Sequence, residues 1–371
     1  MENRMSLANG RTGDPHKQRR ISGNQARLGL EKEPSKAVGG SGVLPNFFVV
    51  GAMKGGTTAL SDALAAHPDV YCTPIKEPSY FAGDLTCTPQ AQHHRTHVLD
   101  PEAFVSAPMR SRASGAWVNS LATYQALFHD HRGERAIGDC SATYLYSRVA
   151  ARAIREAVPA ARIVISLRNP VTRAFSEYLH NRVKGWEKPP FRSAVERELA
   201  SRASGHMPVM GIEPVYVSAG LYAEQVQRFL ECFPREQVLI LFQEDTKKDF
   251  AGTMRQICRH IGVDPAVAPQ EPVISNSAKR PRLDVINEVL YASGLKTLIS
   301  RYIPARLKEL GKTFYYSSNV REMLTEDDRL YLSDIFADDI QRLSRLVDRD
   351  LSHWLQRAPG VKSTTGQVIR A

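Results

Sequence analysis

From Val50 to Leu60 the chain reads VGAMKGGTTAL, a lysine followed by two glycines and two threonines at the exit of an apolar run. A glycine turn between a strand and a helix lets backbone N–H groups converge on an anion at the positive end of the helix dipole. Gly55, Gly56, Thr57 and Thr58 are thereby placed to hold a phosphate. In the usual kinase phosphate loop the lysine follows the last glycine and directly precedes the Ser or Thr; here Lys54 comes before both glycines. The loop keeps its anion-binding turn and moves its ammonium.

A second unit, RIVISLRNPVTRAFSEYLH (Arg162–His180), puts Arg168 at the end of an apolar run and Ser176 on the helix that follows. A guanidinium fork with a hydroxyl makes a cradle for another phosphate. Two phosphate sites on neighbouring strands point to a nucleotide phosphorylated at both ends. Further along, QHHRTH sets His93 and His97 four residues apart, but the glutamate of H-E-x-x-H is missing. No metal ligand set is predicted.

These residues need strands and helices to position them. NFFVVGA (Asn46–Ala52), ARIVISL (Ala161–Leu167) and EQVLILF (Glu236–Phe242) are continuous apolar runs of strand length, as expected for parallel strands covered on both faces. A helix is predicted from about Thr57 to His67-Pro68, and another opens at Pro170. GLYAEQVQRFLECFP carries Tyr222, Val226, Phe229, Leu230 and Phe233 at helical spacing, and Phe250, Met254, Ile257 and Ile261 repeat the pattern. Thr325 and Asp328 resemble a capping box ahead of a stripe of Leu332, Phe336, Ile340, Leu343 and Val347 that ends near Trp354. The fold class is α/β, three layers about a central parallel sheet with a P-loop-like nucleotide site. Two segments, Leu85–Ser120 and Gly185–Ser218, read as irregular loops.

The 371 residues are 42% hydrophobic and 24% charged, the balance of a globular protein. No run reaches the roughly 18 apolar residues of a membrane span, and the first twenty residues lack the apolar region of a signal peptide. Five scattered cysteines with no C-x-x-C pair read as reduced thiols, and a cytoplasmic location is expected. The net charge of +10 favours anionic partners; part of it sits in a basic segment, residues 1–44, expected to be a disordered tail. One domain is expected over residues 45–356, followed by a short tail, 357–371. Nucleic acid is not an expected partner.

The two chemical segments resemble the sulfotransferases that use 3′-phosphoadenosine 5′-phosphosulfate (PAPS), and in particular bacterial enzymes akin to the heparan sulfate branch. VGAMKGGTTAL is similar to the family's loop for the 5′-phosphosulfate and LRNPVTRAFSEYLH to its segment for the 3′-phosphate, in the right order. KEPSYFAGD (Lys76–Asp84), AIGDCSATYLYS (Ala136–Ser147) and GLYAEQVQRFLECFP are similar landmarks between and after them. The resemblance covers roughly Leu44 to Trp354. It implies that Lys54 offsets charge on the oxygen bridging sulfur and phosphorus, and that Gly56, Thr57 and Thr58, with Gly55 in the same turn, bind the 5′-phosphate. It further implies that Arg168 and Ser176 bind the 3′-phosphate and that Glu77 is the base for the acceptor. Lys76 and Tyr144 are candidate acceptor contacts. The later K-G-R loop of the family's eukaryotic branch is absent; NSAKRPR (Asn276–Arg282) is the nearest basic candidate, with Lys279 and Arg280 as candidate phosphate contacts.

The implied reaction is sulfuryl transfer from PAPS to a hydroxyl or amine of a glycan, lipid or small molecule, with no metal. Two rivals are weighed against it. A phosphate-loop nucleoside or sugar kinase needs the G-K-[S/T] order and an acidic Mg²⁺ ligand, for which only Glu244 or Asp245 at a strand end offers itself. A non-catalytic nucleotide- or polyanion-binding protein needs neither Lys54 nor Glu77.

Overall fold

The computed structural model describes residues 42–85, 99–109, 112–114, 116–206, 208, 210, 213–272, 280–281, 316–317 and 322–355. The expected tails fall almost wholly outside the described residues, and so do His93, His97 and Lys279. Five parallel strands form the central sheet: β1 (Phe47–Gly51), β2 (Val70–Cys72), β5 (Ala136–Asp139), β6 (Arg162–Leu167) and β7 (Val238–Phe242), in the order β2-β5-β1-β6-β7. Short pairs β3 (Ile75–Lys76) with β4 (Ala113–Ser114), and β8 (Arg280–Pro281) with β9 (Tyr316–Ser317), stand apart from it.

The three predicted strands are β1, β6 and β7; β2 and β5 were not predicted. Each is only three or four residues long, too short for a pattern to stand out. Gly138 in β5 is glycine because Phe47 of the neighbouring strand packs on it: a Cβ there would lie 2.1 Å from the Phe47 ring. Pairing with β1, not local preference, makes this segment a strand.

The helices, in chain order, are α1 (Thr57–Leu64), α2 (Pro101–Val105), α3 (Leu121–Ala126), α4 (Ala150–Ala157), α5 (Pro170–Lys184), α6 (Phe191–Ala203), α7 (Tyr222–Cys232), α8 (Gln243–Lys248), α9 (Phe250–Ile261) and α10 (Glu326–Leu346). Pro170 opens α5 behind an Asn169 cap whose side chain accepts from the N–H groups of Val171 and Thr172, and Gly185 closes it in the left-handed region. The Thr325 hydroxyl accepts from Asp328 N–H at the start of α10, as the capping pattern predicted.

Alternate residues of β1 enter two cores. Phe48 and Val50 pack with Tyr144, Val171, Tyr222 and Phe336; Phe47 and Val49 pack with Leu60, Leu64, Met254 and Ile257 on the other face. That alternation makes the three layers expected of the sequence.

The expectation of an irregular Gly185–Ser218 is overturned by α6. Phe191, Ala194, Val195 and Glu198 face inward at helical spacing, masked in the sequence by the charged residues between them. The Glu198 carboxylate accepts from Val217 and Ser218 N–H, both at 2.8 Å, so a buried charge ties α6 to the chain entering α7. The other segment is likewise not wholly irregular, since it holds α2 and β4. Among the described residues no helix is long and apolar enough to cross a membrane.

Candidate active site

The sheet order creates a switch point. The chain leaves β1 toward β2 on one side, and leaves β6 toward β7 on the other, so a crevice opens at the carboxyl ends of β1 and β6. Both phosphate-binding segments predicted from the sequence begin there.

The loop after β1 is sewn to β6. Ala52 N–H donates to Ser166 O at 2.7 Å, Gly55 N–H donates to Ala52 O at 2.8 Å, and the Ser166 hydroxyl donates to Gly55 O at 2.8 Å. A Cβ on Gly55 would sit 2.4 Å from Ser166 O, which only glycine avoids. Gly56, at φ 94°, caps α1 with no side chain over the helix's first N–H groups. Helix-start N–H groups left without a side-chain cap are the kind of donors that hold anions. Thr57 is buried, and the half-buried Thr58 hydroxyl accepts from Lys76 Nζ at 2.6 Å.

Lys54 itself adopts φ 63°, a left-handed conformation that side-chain-bearing residues rarely take. Burial lowers the pKa of its ammonium; the Glu177 carboxylate opposes this, while Arg173 and Arg168 reinforce it. From β6, Arg168 donates Nη1 to Lys54 O at 3.3 Å and Nε to Thr172 Oγ1 at 3.0 Å. Thr172, Ser176 and His180 recur every four residues on α5, one face of the helix, while Arg173, Glu177 and Asn181 are buried on another. The structure therefore brings Lys54, Gly55, Gly56, Thr57, Thr58, Lys76 and Arg168 together, with Ser176 on the helix face that Arg168 reaches.

Glu77 is the second residue in a left-handed conformation, at φ 59°. Its side chain lies 3.7 Å from Lys76 Nζ. Ser79 clamps the turn: its hydroxyl donates to Glu77 O at 3.2 Å and lies 2.9 Å from Thr143 Oγ1, and its N–H donates to Ser141 Oγ at 3.1 Å. Ser141 in turn donates to Asp139 Oδ1 at 2.6 Å, and the Tyr124 and Tyr144 hydroxyls donate to Asp139 Oδ2 at 2.7 and 2.6 Å. Burial pushes the Asp139 carboxyl up to about 6 against the pull of these three bonds.

Tyr144 is corrected by this web. It is fully buried and its hydroxyl donates to Asp139, which leaves it no exposed surface for the acceptor contact expected of it. The guanidinium of Arg280 lies outside the described residues; only its backbone, paired in β8, is described.

Sequence reasoning gave no role to Arg173 and Glu177. Arg173 has no exposed surface; Nη2 donates to Val215 O and Tyr216 O, while among the described residues Nε and Nη1 have no hydrogen-bond partner, and neither has Glu177 Oε2. Buried polar atoms that lack a hydrogen-bond partner are costly, and perturbed buried charges concentrate at functional sites. The available signal is their place in RNPVTRAFSEYLH, Arg173 between Arg168 and Ser176 and Glu177 directly after Ser176. The strand-end carboxylates that a kinase would need are engaged elsewhere: Asp245 pairs with both Arg349 amino groups, and Glu244 accepts from Trp354 Nε1 at 2.8 Å.

The model of the Sulfotransferase family matches residues 45–266, and the chain belongs to that family. It is 26% identical over 306 residues to human "Bifunctional heparan sulfate N-deacetylase/N-sulfotransferase 2", covering 82% of this chain and 30% of that one. Mouse "Carbohydrate sulfotransferase 15" is 24% identical over 272 residues, 63% of this chain and 46% of that one. The chain thus spans less than half the length of these curated relatives. Among solved structures, a sulfotransferase from Alicyclobacillus acidocaldarius superposes with a TM-score of 0.58 at 29% identity, covering 84% of this chain and 99% of that one.

Proposed function

We propose that the chain transfers the sulfuryl group of PAPS to a hydroxyl or amine of a carbohydrate, lipid or small-molecule acceptor, leaving 3′,5′-ADP. The observation that carries this reading is Lys54: an ammonium set ahead of the glycines, in a strained turn whose carbonyl is held by Arg168. The residues present fit a nucleotide charged at both ends. The uncapped start of α1 with Gly56, Thr57 and Thr58 suits one phosphate, and Arg168 with Ser176 suits the other.

When bound, PAPS supplies a sulfur electrophile with a phosphate leaving group. Glu77 takes the proton from the acceptor atom as that atom bonds to sulfur. Lys54 neutralises the charge that grows on the bridging oxygen as its bond to sulfur breaks. Lys76, bonded to Thr58 and beside Glu77, holds the two sides of the crevice in register. The clamped Ser79 turn keeps the Glu77 carboxylate from drifting, which preserves the near-attack geometry. The engaged Glu244 and Asp245 count against the kinase reading. A reducing compartment such as the cytoplasm is in keeping with the free thiols of Cys72, Cys140, Cys232 and Cys258.

Calorimetry tests this reading. Binding of 3′,5′-ADP without Mg²⁺, at least tenfold tighter than ADP, is expected. Equal affinity for the two overturns the assignment.

A further inference from the structure

Of the chain's three tryptophans, Trp354 is buried at 3% exposure, Trp117 is half-buried, and Trp186 stands 62% exposed. The exposure is not that of a loose loop. Gly185, left-handed, ends α5, and Trp186 N–H donates to Asn181 O at 2.9 Å. The next residue, Glu187, is buried and accepts from the Tyr216 hydroxyl at 2.8 Å and Arg197 Nη2 at 2.6 Å. The backbone is fastened on both sides while the indole is left in the open. The ring is also oriented: the His180 imidazole meets it at 82° with centroids 6.3 Å apart, and Lys184 Nζ lies 5.7 Å from its centroid.

This place is continuous with the candidate active site. His180 continues the face of α5 that carries Thr172 and Ser176, and Lys54 and Lys76 are among the charges that act on it. A large exposed aromatic on an anchored backbone, with only two side-chain torsions to order on binding, suits recognition of a flat, apolar ring face. The lysine beside it adds a place for a negative substituent.

We propose that Trp186 and Lys184 form the acceptor platform: the indole stacks on a ring of the acceptor and Lys184 pairs with an anionic group borne by that ring. The proposal names the acceptor class, which sulfuryl transfer by itself leaves open, and it rests on the sulfotransferase reading for its place in the reaction. Trp186 does not touch the reacting atoms. It sets which acceptors arrive and in what orientation.

Two chemistries share this description, a uronic acid sugar and an aromatic carboxylate, and the test separates them. Tryptophan emission of the full chain is titrated, without nucleotide, with an unsulfated hexasaccharide of alternating glucuronic acid and N-acetylglucosamine, with 3-(4-hydroxyphenyl)propionate, and with neutral cellohexaose. One of the two anionic probes is expected to change the emission in saturable fashion, and Trp186→Phe to remove most of the change. Trp186→Ala should weaken binding of that probe about tenfold or more, with 3′,5′-ADP affinity unaltered and the thermal midpoint unmoved. Lys184→Ala should lower the affinity for the anionic probe toward that of cellohexaose. No response to either anionic probe, or equal probe affinity in Trp186→Ala and the wild type, overturns the platform. Probe binding through Trp186 in a chain indifferent to 3′,5′-ADP upholds the platform and overturns sulfuryl transfer.

Discussion

The guanidinium of Arg168, at the end of β6, donates to the backbone carbonyl of Lys54, at the end of β1, across 3.3 Å. One side chain thus joins the two predicted phosphate sites through the residue proposed to stabilise the leaving group. A ligand phosphate drawing on Arg168, as proposed, would bear directly on the turn that carries the Lys54 ammonium.

Arg168→Ala is therefore expected to do more than lose one contact. The preference for 3′,5′-ADP over ADP should shrink by at least tenfold, since charge-assisted bonds to phosphate are worth about 1.5–3 kcal/mol each. Arg168→Lys should recover little of it, because an ammonium cannot reach Thr172, Lys54 and a phosphate together as the planar fork does. Calorimetric titration of the three proteins with both nucleotides checks this.

Lys54→Ala should lower turnover more than nucleotide affinity, because the charge it offsets grows as the sulfur–oxygen bond breaks. Its pH profile follows from the environment. Burial lowers the Lys54 pKa, and the active form is the protonated one. Activity is thus full below that pKa and lost as pH rises through it, so the alkaline limb should lie below the ordinary lysine range. Glu177 raises the Lys54 pKa, so Glu177→Gln should move the limb to still lower pH. A limb that does not move in kcat/KM against pH would remove Glu177 from this role.

Glu77→Gln keeps the shape of the turn and removes the base. A fall in turnover of about 10²–10⁴-fold with binding largely spared is the expected outcome. Near-normal turnover on a confirmed acceptor would transfer the role to His180. Burial, then the charges of Lys54, Lys184 and Lys76, hold that imidazole down to about 4, so it is neutral across the physiological range but a weaker base than a free histidine.

Asp139 links the site to stability. Its carboxyl is raised from 3.8 to about 6, so between these values the folded chain binds more protons than the unfolded one. Its contribution is present below pH 3.8 and is lost as pH rises through about 6. Asp139→Asn should cost about 2 kcal/mol or more by disturbing three hydroxyl bonds. It should also flatten this part of the pH dependence, which is read as the difference between the two proteins' urea unfolding curves from pH 4 to 7.

What the sequence determined by itself was whatever depends on residues near one another in the chain. Continuous apolar runs marked β1, β6 and β7, and Asn169-Pro170 and Thr325 marked helix starts, because strand burial, proline geometry and capping act over a few residues. The lysine, glycines and threonines from Lys54 to Thr58 could be read as an anion site for the same reason. Tertiary structure decided the rest. β5 is a strand because Phe47 packs over Gly138, a contact between residues ninety-one apart. Glu177 and Arg173 look like ordinary helix-surface charges until α5 is laid against the sheet and buries them, and Tyr144 looks accessible until Asp139 claims its hydroxyl. Trp186 would pass for a core residue by its type; only the clamp of Gly185 and Glu187 leaves it in the open. Burial and long-range pairing belong to the folded chain as a whole, and they set which charges are unpaired and which rings are exposed.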